Sequence, residues 1–222
     1  MTDVTEFVLV RHGEAIVNLT PSLDGVCLGL TERGRGQAAA LRERLAAEAA
    51  AGRGFDAAYH SPRARCVETA GIVQPAVGVP IAGYEDLRSM DHGQPGVDIW
   101  NSATNAIGTI PPLDPDSIPN PGGESWQQYL GRSGGALLAL AERHIGQRVL
   151  IVAHSETSES AMQAFMRLPA GSSRWTYPYV NHTAVSIWRH MVSTMPGADP
   201  AGQWILRLHN HEGHLPVEDR SW

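Results

Sequence analysis

Two unbroken apolar runs mark the predicted centre of the fold. Residues 7–10 read Phe-Val-Leu-Val and residues 149–153 read Val-Leu-Ile-Val-Ala, with no polar position between apolar ones. Such runs have the length of strands and are typical of strands buried on both faces of a parallel sheet. Between them, apolar residues at helical spacing, including Leu41 and Leu45, predict a helix that is capped by Thr31 and ends near Gly52 or Gly54.

The remaining pattern alternates strands with helices. It predicts strands over 55–60, 79–81, 184–188 and 204–208, a long helix over 124–144 and a short one through 161–166. A further helix would have Ser61 as its cap and Pro62 in its first position. This alternation predicts an α/β fold with three layers, helix–sheet–helix, around a mainly parallel central sheet. We expect a single domain over 1–222, in which the proline-interrupted stretch 89–131 is an excursion covering the functional site.

Charged side chains follow both apolar runs at once. Arg11 and His12 end the first run and His154 ends the second. Open α/β sheets bind ligands at the carboxyl ends of their strands, so these side chains reach the expected ligand site. Arg65 falls in the opening turn of the next helix and can reach over the same edge. Arginines are permanent bidentate donors for phosphate oxygens, and their charge favours the neutral, nucleophilic form of His12.

Three ordered motifs carry a resemblance to a known family. They are Arg-His-Gly-Glu at 11–14, Ser-Pro-x-x-Arg at 61–65, and a histidine after an apolar strand at 154. Together they closely resemble the signature of the histidine phosphatase superfamily, which includes the phosphoglycerate mutases. The resemblance implies that His12 is a nucleophile that is transiently phosphorylated, while Arg11, Arg65 and His154 hold the phosphoryl group. It also implies that Asn18, otherwise an ordinary turn residue, contacts the substrate.

The chain departs from the family where the general acid is expected. The family has a glutamate at the position of Ser89, and a serine cannot protonate an alkoxide as a carboxylic acid can. His92 or Asp91 is the nearest replacement, with His92 at a position that faces the pocket in relatives. Glu124 either lies at the substrate or favours a helix dipole. Motif spacing selects Arg65 over Arg63, which is expected to face solvent.

Composition limits the partners. The formal net charge of −6 argues against a nucleic-acid binder, and no apolar run approaches membrane-spanning length, so a cytoplasmic protein with no membrane partner is expected. The acidic start lacks the positive charge of a signal peptide. The chain has no lysine, which removes Schiff-base and P-loop chemistry. Cys27 and Cys66 make no disulfide framework, and Cys66 is expected to be a buried thiol. We expect no cofactor and no metal at the tail histidines 209, 211 and 214.

Three functions compete on this sequence. The first is a phosphatase that acts on a small phosphomonoester through phosphohistidine, the second a phosphoglycerate-type mutase, and the third a catalytically weak protein that binds a phosphorylated ligand. No arginine or lysine lies between Arg88 and Arg132, which disfavours a highly anionic substrate and with it the mutase. Apolar residues there suit an apolar or uncharged alcohol portion: Trp100, Ile107, Ile110 and Trp126. The phosphatase is therefore the favoured function, and a homo-oligomer is left open.

Overall fold

The computed structural model describes residues 4–19, 28–91, 93, 114–118, 121–172, 177–192, 195–199 and 201–220. Within them the strands are β1 (Thr5–Arg11), β2 (Ala57–His60), β3 (Ile81–Gly83), β4 (Arg148–Ala153), β5 (Val185–Met191) and β6 (Gln203–His211). The helices are α1 (Ile16–Leu19), α2 (Glu32–Ala50), α3 (Ala64–Val77), α4 (Trp126–Arg143) and α5 (Ser155–Phe165). Short 3₁₀ turns cover Glu85–Leu87 and Val217–Asp219.

The six strands form one sheet in the order β3-β2-β4-β1-β5-β6. The first four of these are parallel neighbours, and β5 and β6 are joined antiparallel at one side. The apolar strands β1 and β4 lie side by side, with Arg11 opposite Ala153. The sequence positions that follow these two strands therefore emerge together at one edge of the sheet.

Helices cover both faces of the sheet because neighbouring residues of each central strand point to opposite sides. Val8 and Val10 of β1 pack with Leu41 of α2 and Val73 of α3 on one face. On the other face, Phe7 and Leu9 pack with apolar residues of the remaining two long helices: Leu137, Leu140, Ala161 and Phe165. These two clusters make the three-layer helix–sheet–helix fold that the sequence predicts.

Most element bounds follow the predictions, with one informative error. Thr31 caps α2 by accepting a hydrogen bond from the Gly34 N–H, and Gly52 follows the helix with a positive φ. The prediction that Ser61 caps the next helix is wrong, because α3 begins only at Ala64, with Arg63 at its N-cap. The hydroxyl of Ser61 bonds instead to His154.

The stretch 89–131 is described only in part. Residues 94–113 and 119–120 lie outside the described residues, and α4 begins inside the stretch at Trp126. Its start is capped by Ser125, whose hydroxyl accepts from the Gln128 N–H while the Gln128 side chain accepts from the Ser125 N–H. Whether 89–131 covers the site as an excursion stays a prediction. Among the described residues, no helix is long and apolar enough to span a membrane.

The N-terminus of α2 presses directly on the loop that follows β1. A methyl group added at Gly34 would collide with the backbone carbonyl of Glu14, and one added at Gly13 would collide with the carbonyl of Gly34. Both glycines are therefore required by close backbone approach. The side chain of Glu14 adds to this junction by pairing with Arg33 at 2.8 Å and accepting from the Thr31 hydroxyl at 2.8 Å.

An ion-pair network crosses the sheet at the end where β1 and β4 begin, opposite the end where Arg11 and Ala153 lie. Glu6 on the central strand pairs with Arg148 on one neighbour at 2.7 Å and with Arg189 on the other at 2.6 Å. Arg148 also pairs with Glu48 of α2 at 2.6 Å, which ties the helix to the sheet. Burial raises the pKa of the Glu6 carboxyl, but hydrogen bonds from Arg148 and Arg189 outweigh it and leave that pKa lowered.

Candidate active site

Four side chains converge where β1 and β4 end. Arg11 is the last residue of β1 and His12 follows it, His154 follows β4, and Arg65 lies in the first turn of α3. The His12 and His154 rings stand 5.5 Å apart between centroids, edge to face. Arg65 bridges them, with its Nε 3.1 Å from His12 Nε2 and one terminal nitrogen 3.3 Å from His154 Nδ1. The four residues that the sequence singled out therefore form one cluster.

Arginine contacts fix which nitrogen of His12 carries the proton. A guanidinium can only donate, so His12 Nε2, which faces Arg65 Nε, is the unprotonated acceptor. His12 Nδ1 lies 2.7 Å from the Gly13 carbonyl and donates to it. The ring is buried and held by these two bonds. Its lone pair on Nε2 points to the arginine side of the cluster, which is the arrangement that a nucleophilic histidine needs.

His154 carries its proton on the opposite nitrogen. Arg65 donates to Nδ1, so Nε2 carries the hydrogen and donates to the Ser61 hydroxyl at 2.8 Å. The thiol of Cys66 packs beside the ring, 3.7 Å from Nε2, and is fully buried as expected. Ser61 thus orients a site residue, a role that the sequence pattern did not suggest.

Arg11 is a buried guanidinium held by main chain and aromatic groups. It donates to the Val180 carbonyl at 2.6 Å and to the Tyr179 hydroxyl at 3.1 Å, and lies 5.4 Å from the Tyr179 ring centroid. Its Nε is buried and has no hydrogen-bond partner in the described part of the chain. Such an arginine keeps donor capacity for an anion.

Burial and positive charge keep both histidines neutral. Burial lowers the pKa of His12 well below its usual value, and the charges of Arg65 and Arg11 lower it further. His154 behaves alike, with burial first and Arg65 next among the causes that lower its pKa. The cluster is therefore strongly positive through its arginines alone, while the imidazoles stay free to accept protons or electrophiles.

A third histidine and its loop complete the cluster. The His182 ring lies 5.8 Å from that of His12, and burial and Arg11 lower its pKa well below the usual value. Thr183 next to it has a positive φ, and its N–H donates to the carbonyls of both Arg11 and His12. The sequence pattern did not predict a role for His182 or Thr183. Its contact with the β1 loop follows only from the position of β5 beside β1.

The other predicted site residues have contacts of their own. The side-chain oxygen Oδ1 of Asn18 accepts from the Ala15 N–H, as in an ordinary turn. The side-chain nitrogen Nδ2 of Asn18 has no hydrogen-bond partner among the described residues. The Asp91 carboxylate accepts from the Gly93 N–H. Glu124 pairs with Arg132 at 2.6 Å and accepts from the Asp91 N–H, so it braces the 88–91 turn. His92 lies outside the described residues.

Arg63 does not face solvent, which corrects the expectation for it. Its side chain is half-buried, and its Nε donates to the Ser89 hydroxyl at 3.1 Å. Ser89 is buried and its carbonyl lies 3.5 Å from a terminal nitrogen of Arg132. The serine that replaces the family's glutamate is therefore in contact with an arginine two residues before Arg65.

The tail histidines do not form a cluster. His209 faces the Ser186 hydroxyl, His211 accepts from Arg44, and His214 faces the Thr183 hydroxyl. In the parts of the chain that the structure describes, no group of three or more His, Cys, Asp or Glu residues could hold a metal ion.

Comparisons with known proteins agree on one family. The family model described as the histidine phosphatase superfamily (branch 1) matches residues 7–193. The metal-independent phosphoserine phosphatase of Arabidopsis thaliana is 33% identical over 160 residues, which are 69% of this chain and 65% of that protein. A 2,3-bisphosphoglycerate-dependent phosphoglycerate mutase of Brucella anthropi is 28% identical over 178 residues, 71% of this chain and 79% of the relative. The solved structure of Bacillus stearothermophilus YhfR superposes with a TM-score of 0.71 at 27% identity, covering 95% of this chain and 98% of that one.

Proposed function

The chain belongs to branch 1 of the histidine phosphatase superfamily, and from this we propose that it is a phosphatase that hydrolyses a small phosphomonoester through a phosphohistidine intermediate. One observation carries the proposal: the unprotonated Nε2 of a buried, neutral His12 faces Arg65 beside Arg11 and His154. The phosphoserine phosphatase among the relatives supports a small phosphorylated metabolite as substrate. We further propose that the reaction needs no metal ion, as the name of that relative states for it.

In the first step His12 Nε2 attacks phosphorus, and the bond from phosphorus to the ester oxygen breaks. Arg11 and Arg65 hold the non-bridging oxygens, and their charge stabilises the transition state where it is needed. Before this attack, on substrate binding, Arg65 exchanges its contact with His12 Nε2 for a phosphate oxygen, which frees the lone pair. His154 stays oriented by Ser61, and once Arg65 has moved away its Nδ1 takes up a proton, which the bound anion favours, and donates to the phosphoryl group from the other side.

The second step returns the enzyme to its resting state. A water molecule attacks phosphorus while one of its protons returns to the residue that protonated the alcohol, the bond from nitrogen to phosphorus breaks, and inorganic phosphate leaves. The departing alcohol of the first step takes a proton, for which His92 and Asp91 are our candidates. The Asp91 carboxylate is already engaged by the Gly93 N–H, so His92 is the first residue to test.

The nucleophile is tested by trapping the intermediate. Brief incubation with a ³²P-labelled aryl phosphate and acid-free denaturation should leave label on the wild-type protein that is stable in base and lost in acid. His12→Ala should lose both the label and turnover, by at least about 10³-fold. His190→Ala is the matched control, because that histidine lies on β5 and contacts the Ala201 carbonyl instead of the site. Normal turnover by His12→Ala would refute the mechanism.

The proton donor is tested with two leaving groups. An alkoxide needs protonation and a nitrophenolate does not, so the true donor should matter for alkyl phosphates alone, by roughly 10²–10⁴-fold. We expect His92→Ala to lose alkyl-phosphate turnover and keep aryl-phosphate turnover. Asp91→Ala is compared in the same way. Equal effects on both substrates in both variants would exclude these two residues as donors.

A mutase is the second candidate function, because the Brucella anthropi relative is one. The absence of arginine and lysine between Arg88 and Arg132 speaks against it, since a second anionic group on the substrate needs cations in that stretch. Purified protein should therefore release phosphate from phosphomonoesters without added 2,3-bisphosphoglycerate. Interconversion of phosphoglycerates that is faster than phosphate release would establish the mutase instead.

A further inference from the structure

Arg63 lies two residues before Arg65, and most of its side-chain N–H donors have no acceptor among the described residues. Its Nε is bonded to the Ser89 hydroxyl at 3.1 Å, while its two terminal nitrogens have no hydrogen-bond partner among the described residues. Its backbone opens α3 directly before the turn that carries Arg65. Ser61, which orients His154, lies two residues earlier and accepts from the Arg63 N–H at 3.4 Å. Arg63 therefore belongs to the same short segment that supplies two other site side chains.

The charge of Arg63 is not neutralised by a neighbour. Most described arginines pair with a carboxylate, as Arg33 does with Glu14 and Arg132 with Glu124. Across the described residues, no carboxylate lies within ion-pair distance of Arg63 or of Arg11. A half-buried guanidinium without a counter-ion is costly to hold unless an anion occupies the site during function.

We propose that Arg63 is a third phosphate-binding arginine of this active site, and that Ser89 holds its guanidinium toward the phosphoryl group. The inference rests on the proposed function, since it places Arg63 against the group that is transferred to His12. Arg11 and Arg65 then bind from the β1 and α3 sides, and Arg63 binds the remaining face next to His154. Its planar fork matches two phosphate oxygens, which a lysine at this position would not do.

The electrostatics of His154 agree with this placement. After burial and Arg65, the charge of Arg63 is the next cause that lowers the pKa of His154, ahead of Arg11. Charge effects fall with distance and with solvent between the groups. The charge of Arg63 thus lowers the pKa of His154 more than the charge of Arg11 does.

The replacement of glutamate by serine gains a physical reason from this arrangement. A glutamate at position 89 would form an ion pair with Arg63 and neutralise it, whereas a serine hydroxyl orients the guanidinium and leaves its charge intact. At position 89 a proton-donating glutamate is then replaced by a serine that orients the Arg63 guanidinium. The proton for the leaving group is a separate matter, tested above at His92 and Asp91.

The test measures binding of inorganic phosphate and turnover in matched variants. Arg63→Ala should weaken phosphate binding about 10- to 100-fold by calorimetry and lower kcat/KM for an aryl phosphate by a similar factor. Arg63→Lys keeps the charge, loses the fork and should recover only part of both. Ser89→Ala should cause a smaller loss, and no further loss when combined with Arg63→Ala. Arg42→Ala is the control for losing one positive charge, because Arg42 is exposed and paired with Glu43 on α2.

The outcomes separate this inference from the proposed function. Wild-type protein that neither binds phosphate nor takes up label at His12 would remove the proposed function itself. Normal labelling and phosphate affinity in Arg63→Ala, within twofold of Arg42→Ala, would remove the inference alone. A loss confined to substrates with a second acidic group, with inorganic phosphate unaffected, would also overturn it, because Arg63 would then bind that group. Circular dichroism of each variant confirms that it is folded.

Discussion

At the scale of single residues, one arginine sets the chemistry of two histidines. Arg65 donates to Nε2 of His12 and to Nδ1 of His154, so the two rings carry their protons on different nitrogens. The first ring thereby keeps its Nε2 lone pair on the arginine side, where the proposed mechanism uses it, and the second donates its proton to Ser61. A lysine at position 65 could not span both rings in one plane.

The lowered pKa of His12 leads to a pH prediction. Its folded-state pKa lies well below 6.5, so the neutral nucleophile persists as the pH falls through 6.5 and is lost only at lower pH. Titration of the His12 ring by NMR, with the signal assigned by its absence in His12→Ala, should give a midpoint below 6.5 in protein free of phosphate. A midpoint at or above 6.5 would contradict the electrostatic picture of the site. Bound phosphate should raise the midpoint, because an anion beside the ring favours its charged form.

At the scale of elements, the catalytic loop is shaped by the start of a helix that supplies no catalytic group. Gly34 in the first turn of α2 leaves room for the carbonyl of Glu14, and Gly13 leaves room for the carbonyl of Gly34. Thr31, which caps the helix, also donates to the Glu14 side chain. The loop after His12 is therefore positioned by backbone contact as well as by side-chain bonds.

A pair of glycine variants tests this contact. Gly34→Ala should destabilise the protein by about 2 kcal/mol and lower kcat, because the added methyl forces the Glu14 carbonyl and the His12 loop to shift. Gly36→Ala lies two residues along the same helix, is exposed, and has no atom within 4 Å of the added methyl. It should raise stability by about 0.5–1 kcal/mol through helix propensity and leave kcat unchanged. Equal unfolding free energies and equal kcat for the two variants would exclude the proposed contact.

Local sequence pattern was sufficient for the six strands, for the four longer helices and for bringing together the four central residues of the site, but not for the short helix α1. Apolar runs identify β1 and β4, and the residues that follow them meet because the two strands are parallel neighbours. It was not sufficient for Ser61, predicted as a helix cap, or for Arg63, predicted to face solvent. Ser61 bonds to His154 and Arg63 bonds to Ser89, and both partners are distant in the sequence. Local propensity carries no information about such contacts.

At the scale of the whole molecule, the two edges of the sheet have opposite electrostatic designs. At the edge with the site, Arg11 and Arg63 have no carboxylate partner among the described residues, whereas the other edge balances Glu6 and Glu48 against Arg148 and Arg189. The balanced edge joins three strands and α2, and it lies a full strand length from His12. The charged groups of this ion-pair network are thereby separate from the proposed catalytic groups.

This separation predicts a variant that changes stability alone. Glu6→Gln should lower the free energy of unfolding by about 2 kcal/mol, because it leaves two buried or half-buried arginines short of their counter-ion, and kcat should not change. Glu43→Gln, in an exposed pair with Arg42, should cost less than about 0.5 kcal/mol. Since the pKa of Glu6 is lowered in the folded state, its contribution is present above pH 4.5 and is lost as the pH falls below that value. Equal denaturation midpoints for the two variants at pH 7 would refute the prediction.

The N–H of Thr183 donates to the carbonyls of both Arg11 and His12. Its hydrogen-exchange rate therefore reports how often the site opens. It can exchange its hydrogen for deuterium only when the loop over the nucleophile comes apart. If that opening also releases inorganic phosphate, the anion at 100 times its Kd should slow the exchange by up to about 100-fold. The Gly146 N–H, bonded to the Thr5 hydroxyl at the far edge of the sheet, should keep its rate. Unchanged fast exchange at Thr183 with phosphate bound would mean that the loop opens without releasing the phosphate.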